Sequence, residues 1–108
     1  MHTRQHSTDR SGNDFSIEIR AAVWVKAQAV VGYNPSDMRM DSYGALIKWV
    51  DYGNTTPIGY GWEIDHVYPV ARGGSDNLTN LQALQWQNNR HKSDAVGILP
   101  NAAVTARQ

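Results

Sequence analysis

The sequence predicts an α+β domain in which a helix precedes a strand, a glycine-rich reversal, a returning strand and a short polar helix. Three observations carry that prediction. Residues 15–31 place Ile19, Val23, Ala27 and Val30 at roughly helical spacing among good helix formers. Residues 62–67 and 81–85 suit extended segments, and Gly73-Gly74-Ser75-Asp76-Asn77 between them supplies a reversal. Residues 86–92 are polar and suit a helix resting on that hairpin, bounded by Gly97 and Pro100.

The elements follow in chain order. Residues 1–14 mix Ser, Thr, Gly, Asn and charges without period, which predicts a flexible arm. The first helix occupies 15–31 and ends at Gly32, with turn chemistry in Gly32-Tyr33-Asn34-Pro35-Ser36-Asp37. Ile47, Trp49 and Val50 favour a strand over 45–51, with a short helix starting near Asp41 as the alternative, and 53–61 is a second loop rich in Gly, Asn, Thr and Pro. The domain runs from 15 to 100 with its central stretch at 61–94, and 101–108 is a loose polar tail.

Composition narrows the function classes. A chain of 108 residues forms one domain with no room for a separate specificity module. Cysteine is absent, which excludes disulfides and thiolate zinc sites. No apolar run approaches the roughly 18 residues of a membrane span, and the polar start lacks a secretory core, so a soluble cytoplasmic protein with no membrane partner is expected. The formal net charge of zero argues against tight duplex binding through bulk charge. Charge is locally uneven, though: Arg72, Arg90, His91 and Lys92 lie in the central stretch, and His2, Arg4, His6 and Arg10 lie in the arm. Modest, salt-sensitive binding to nucleic acid fits that distribution.

The central stretch also carries the chemistry. Hydrolysing a phosphodiester needs a deprotonated water, an electrophilic partner for developing charge and stabilisation of the leaving oxygen. His66 can take the proton, Asp65 and Asn89 can hold a metal through oxygen, and Arg90 or Lys92 can orient the phosphate, with Arg72 as a further contact. Glu63 would project on the same side as Asp65 and reads as a strand-edge solubility residue. His91 reads as a solvated residue, Asp76 and Asn77 as turn formers, and Trp24, Trp49, Trp62 and Trp86 as core.

The order Asp65-His66-x-x-Pro69, Gly73-Gly74, Asn80-Leu81-x-x-Leu84 and Asn89-x-x-Lys92 resembles the HNH endonuclease family, whose fold is the ββα-metal motif. The likeness covers 61–94 and is strongest to small single-domain bacterial and phage-type members; the closing Asn-Arg-x-Lys-Ser-Asp is also similar to the HNH domain of RNA-guided CRISPR nucleases. The resemblance implies His66 as general base, Asp65 and Asn89 as metal ligands, and Asn80 as the middle residue that braces the loop and orients His66. It implies DNA as the substrate. Asn88 stands where many members have a zinc-binding Cys, so no structural zinc is expected, with packing by Trp62, Trp86 and Leu84 in its place. Two oxygen ligands favour Mg²⁺ or Mn²⁺ over zinc. A catalytically weak nucleic-acid-binding module, or a toxin nuclease with an immunity partner, fits the same motif; neither the partner nor the oligomeric state is legible in the sequence.

Overall fold

The computed structural model describes residues 5–94. Its elements are α1 (Ile17–Trp24), β1 (Gln28–Ala29), β2 (Met38–Met40), β3 (Leu46–Lys48), β4 (Trp62–His66), β5 (Leu81–Gln85) and α2 (Trp86–Asp94). They make two helices and two small antiparallel sheets, one ordered β1-β2-β3 and the other β4-β5. The boundary near 100 and the tail at 101–108 lie outside the described residues, as do residues 1–4 with His2 and Arg4.

Ser16 starts α1 as its N-cap, its hydroxyl accepting from the Ile19 N–H, and Glu18 places a negative charge in the first turn. The helix stops at Trp24, well short of the expected end near residue 31. Tertiary partners override the propensity of Ala27 and Ala29. Arg39 Nη1 donates to the carbonyls of Val25 (3.3 Å) and Ala27 (2.8 Å), the Lys26 ammonium reaches the carbonyls of Leu78 and Leu81, and the Trp24 indole donates to Pro35 O at 2.9 Å. The chain is thereby drawn out into β1, where Gln28 pairs with Met40 and Ala29 with Arg39.

The strand expected over 45–51 is confined to Leu46–Lys48. Beyond it Lys48 N–H donates to Tyr60 O and Trp49 N–H to Asp37 O, and Trp49–Asp51 coil into a 3₁₀ turn. Asp41, between β2 and β3, ties this sheet to the other half of the molecule. Its Oδ1 accepts from the N–H groups of Tyr43 (3.0 Å) and Ala45 (2.9 Å), and its Oδ2 from Gln85 N–H (2.9 Å) and Asn88 Nδ2 (3.0 Å).

The strand, reversal, strand and helix expected from the central stretch are present. In the β4–β5 pair Asp65 lies opposite Gln82 and His66 opposite Leu81, and α2 begins directly after β5. Gly74 is required where the reversal closes on itself: a Cβ there would come within 1.7 Å of Tyr68 O. The core gathers Phe15, Val23, Trp24, Ile47, Trp62, Ile64, Leu81 and Ala83. The rings of Trp24, Trp49 and Trp62 meet at centroid distances of 5.1–5.9 Å, so these three tryptophans hold the halves together as core.

Residues 5–14, read from the sequence as part of a flexible arm, lie against the body. Thr8 is buried and bridges to Asp14. Ser7 Oγ accepts from Ile64 N–H at 2.9 Å and hydrogen-bonds Tyr52 OH at 2.8 Å, which supplies β4 with a partner on the side away from β5. Among the described residues no helix is long and apolar enough to cross a membrane.

Candidate active site

The alternation of side chains along β4 divides the chemistry of the central stretch between two faces. Glu63 and Asp65 meet α2; His66 meets the reversal and Phe15, whose ring centroid is 6.0 Å from the imidazole.

Glu63 is 4% exposed, so its reading as a strand-edge solubility residue is corrected. It tolerates burial because α2 satisfies both oxygens: Oε1 accepts from Asn89 Nδ2 at 2.9 Å and from Arg90 Nε at 3.4 Å, and Oε2 from Arg90 Nη2 at 2.9 Å. This bond also orients Asn89. A carboxylate only accepts, so the amide nitrogen must face Glu63 and the carbonyl oxygen is turned the other way.

Asp65 is held differently. Its Oδ2 accepts from Gln82 Nε2 at 2.8 Å, and Lys92 Nζ lies 3.3 Å from both of its oxygens while donating to His66 O at 3.0 Å. Burial raises the Asp65 carboxyl above the ordinary aspartate range, with the Gln82 hydrogen bond and the Lys92 charge opposing that rise. Both partners are side chains, which can rotate away. The donor set fits a hard divalent cation in its chemistry: one carboxylate on β4 and one amide oxygen on α2, with Lys92 one turn beyond Asn89 already resting on Asp65. Among the described residues no group of three or more His, Cys, Asp or Glu side chains is placed to hold a metal ion.

On the other face His66 Nε2 lies 2.7 Å from Asp76 Oδ1. Both oxygens of Asp76 also lie 3.2 Å from the backbone nitrogen of Arg10. Slight burial works to raise the Asp76 carboxyl, but the hydrogen bonds from His66 and the Arg10 N–H outweigh it and hold the group below its ordinary range. Asn80 braces the backbone that follows His66. Its Oδ1 accepts from Tyr68 N–H at 2.8 Å, its Nδ2 donates to Tyr68 O (3.1 Å) and Ser75 O (2.8 Å), and its own carbonyl accepts from Val67 N–H at 2.8 Å.

The residues singled out from sequence are therefore divided in a definite way. Asp65, Lys92 and the His66 carbonyl meet directly, Asn89 and Arg90 meet on Glu63, and Asn80 pins the loop. Arg72 is exposed on a 3₁₀ turn, its backbone N–H donating to Pro69 O and its guanidinium without an ionic or hydrogen-bonding partner among the described residues, and His91 is exposed on α2. Asn88 is fully buried, and hydrogen bonds from its amide to Asp41 and from its backbone N–H to Gln85 Oε1 hold it; of the three residues expected to pack in place of a zinc, Trp62 and Leu84 are buried and Trp86 is partly exposed. Three contributors were missed. Glu63 was signalled by its two-residue spacing from Asp65, Gln82 by its place opposite Asp65 once the register is drawn, and Asp76 by nothing that distinguishes it from a turn former.

No curated protein and no solved structure matches this chain. The family model described as HNH endonuclease matches residues 52–95. That span contains β4, the reversal, β5 and α2, and with them Asp65, His66, Asn80 and Asn89; over it the chain is similar to the HNH endonuclease family.

Proposed function

We propose that the protein is a metal-dependent endonuclease that hydrolyses DNA phosphodiester bonds with little sequence preference. The seating of Asp65 carries this reading: a largely enclosed carboxylate, its side chain 11% exposed, raised by desolvation and held by the side-chain donors Gln82 and Lys92, sits beside His66 and against the helix that bears Asn89. Such a carboxylate is free to exchange its partners for a ligand. Asp65 and Asn89 would hold Mg²⁺ or Mn²⁺, which when bound supplies positive charge for the phosphate and the leaving oxygen.

His66 acts as the base. It takes a proton from water, the water oxygen forms a bond to phosphorus, and the bond from phosphorus to the 3′ oxygen breaks, that oxygen leaving with the electron pair and taking a proton from solvent to become the 3′ hydroxyl. Asn80 keeps the loop after His66 in one conformation through its bonds to Tyr68 and Ser75. Glu63 orients Asn89, and Arg72 meets the phosphate backbone from an exposed turn.

The test is cleavage of supercoiled plasmid by the purified protein with Mg²⁺ or Mn²⁺, with and without EDTA. Wild type should cut in a chelator-sensitive way, and His66→Ala should lower single-turnover rates by about 10²–10⁴, the usual range for losing a general base. Cleavage indifferent to EDTA, or a His66→Ala protein that cuts at the wild-type rate, would overturn the reading.

A further inference from the structure

An aspartate in a glycine-rich reversal is ordinarily explained by turn formation. Asp76 does more than shape its turn. Its Oδ1 is 2.7 Å from His66 Nε2, and its two oxygens share the backbone N–H of Arg10, a residue 66 positions earlier in the chain. The imidazole is itself enclosed, its side chain 8% exposed and its ring against Phe15. A surface ion pair between mobile side chains is worth little. Here one partner is buried and the other is fixed by a backbone donor that has no rotamers to lose.

A carboxylate ion accepts hydrogen bonds and cannot donate them, so Nε2 must carry the ring hydrogen and Nδ1 the lone pair. We infer that Asp76 is a positioning residue for His66, fixing Nδ1 as the nitrogen that removes the proton from water, and that the N-terminal segment completes this device through the Arg10 N–H. The inference rests on His66 being the base. It makes residues 5–14 part of the catalytic apparatus, although none of them touches the reacting atoms.

The decisive variant is Asp76→Asn, which keeps the size and changes the donor pattern. The Arg10 N–H claims the amide oxygen, the NH₂ group then faces His66, and Nε2 is forced to accept, moving the ring hydrogen to Nδ1. Long-range ¹H–¹⁵N NMR on metal-free protein at about pH 8, above the ordinary imidazole range, should show the Nε2–H tautomer in wild type and Nδ1–H in Asp76→Asn. In plasmid cleavage the variant should lose about 10²-fold or more in kcat, as for loss of a general base, with KM for DNA held. A structural role alone would not move the tautomer.

A second pair of variants reads the same device from the other side. Arg10 is the second residue of the turn closed by Gly12 N–H to Asp9 O, a position that favours proline, so Arg10→Pro removes the amide hydrogen with the turn retained. Arg10→Ala loses the same charge and keeps the amide, and Arg10→Pro should cut with a lower kcat than Arg10→Ala at equal KM. An Nδ1–H ring in wild type, or an Asp76→Asn protein that cuts at the wild-type rate, would overturn the inference. A wild-type protein that cuts nothing with any divalent metal would instead sink the nuclease reading, and the tautomer would still decide whether Asp76 sets the ring.

Discussion

The two ends of α2 are each anchored on an aspartate that the fold largely encloses, Asp41 buried and Asp65 with its side chain 11% exposed, and the two anchors are built from opposite materials. Near the start of the helix Asp41 receives three backbone N–H groups and the Asn88 amide, all neutral and all fixed by the fold. Near its end Asp65 receives Gln82 and Lys92, two long side chains, one of them charged. Backbone donors cannot leave without unfolding the turn that presents them, whereas side-chain donors can rotate away at modest cost. The comparison teaches how to tell a structural carboxylate from a functional one inside a small domain: burial is common to both, and the exchangeability of the partners separates them.

The largest expected effect is at the structural end. Asp41→Ala strands the N–H of Gln85 in the interior and takes one acceptor from the Asn88 amide, along with those of two turn amides nearer the surface. At about 1–3 kcal/mol for each buried group left unsatisfied, with partial rescue by water at the turn, the loss should be about 3–5 kcal/mol in urea unfolding. Asp41→Asn keeps one accepting oxygen and should fall between. A loss below about 1 kcal/mol, less than a single orphaned donor, would break the distinction drawn here.

Asp65→Asn should behave in the reverse way, sparing the fold and removing the activity. Burial makes the charged form of Asp65 costly, so its folded-state carboxyl titrates above the unfolded one. Between those two values the folded protein binds more protons, so this group's contribution to stability falls as pH rises through the window, and the penalty is fully present above the folded-state value. A neutral isostere escapes it. Asp65→Asn should therefore be at least as stable as wild type at pH 7, the difference closing below the ordinary aspartate range, while the metal concentration for half-maximal cleavage rises by at least the roughly 10–100-fold that losing even an outer partner of a metal site costs. Asp76 has the opposite sign, its stabilising contribution present above the ordinary range and lost as pH falls through its lowered value. Urea unfolding across pH for the two variants reads both signs.

How much of this was legible beforehand follows from where the determinants lie. The hairpin and α2 were readable because their signals are local: extended segments either side of Gly73-Gly74, a polar run after Gln85, and motif residues in fixed order. The first half was not, because Arg39, Lys26 and Pro35 decide where α1 stops, and strands of two or three residues are too short to show a period. The same division runs through the site. Asp65, His66, Asn80 and Asn89 were singled out by their resemblance to a motif, but that Asn89 donates to Glu63 and that the Arg10 N–H meets Asp76 are facts of tertiary contact with no local trace.

The smallest expected effect separates two arginines that sequence placed together on the phosphate. Arg90 is engaged inside the protein, paired with Glu63 through two nitrogens and lying 5.9 Å from the Trp86 ring. Arg72 stands exposed on its turn. Replacing Arg90 with Ala leaves Glu63 buried with only the Asn89 amide, so it should lower stability by about 1–3 kcal/mol, the cost of a buried acceptor left partly unsatisfied, since the Arg90 side chain is itself 38% exposed. Arg72→Ala should leave stability within about 0.5 kcal/mol, as for a surface substitution. Its effect should appear in DNA binding, as a uniform weakening across sequences and a slope of log K against log salt that is shallower by about 0.9, one phosphate contact fewer. Fluorescence anisotropy over a salt series in EDTA, where no strand is cut, measures that slope. A slope changed by Arg90→Ala and untouched by Arg72→Ala would show that the Glu63 pair opens on DNA and that the exposed turn faces solvent in the complex.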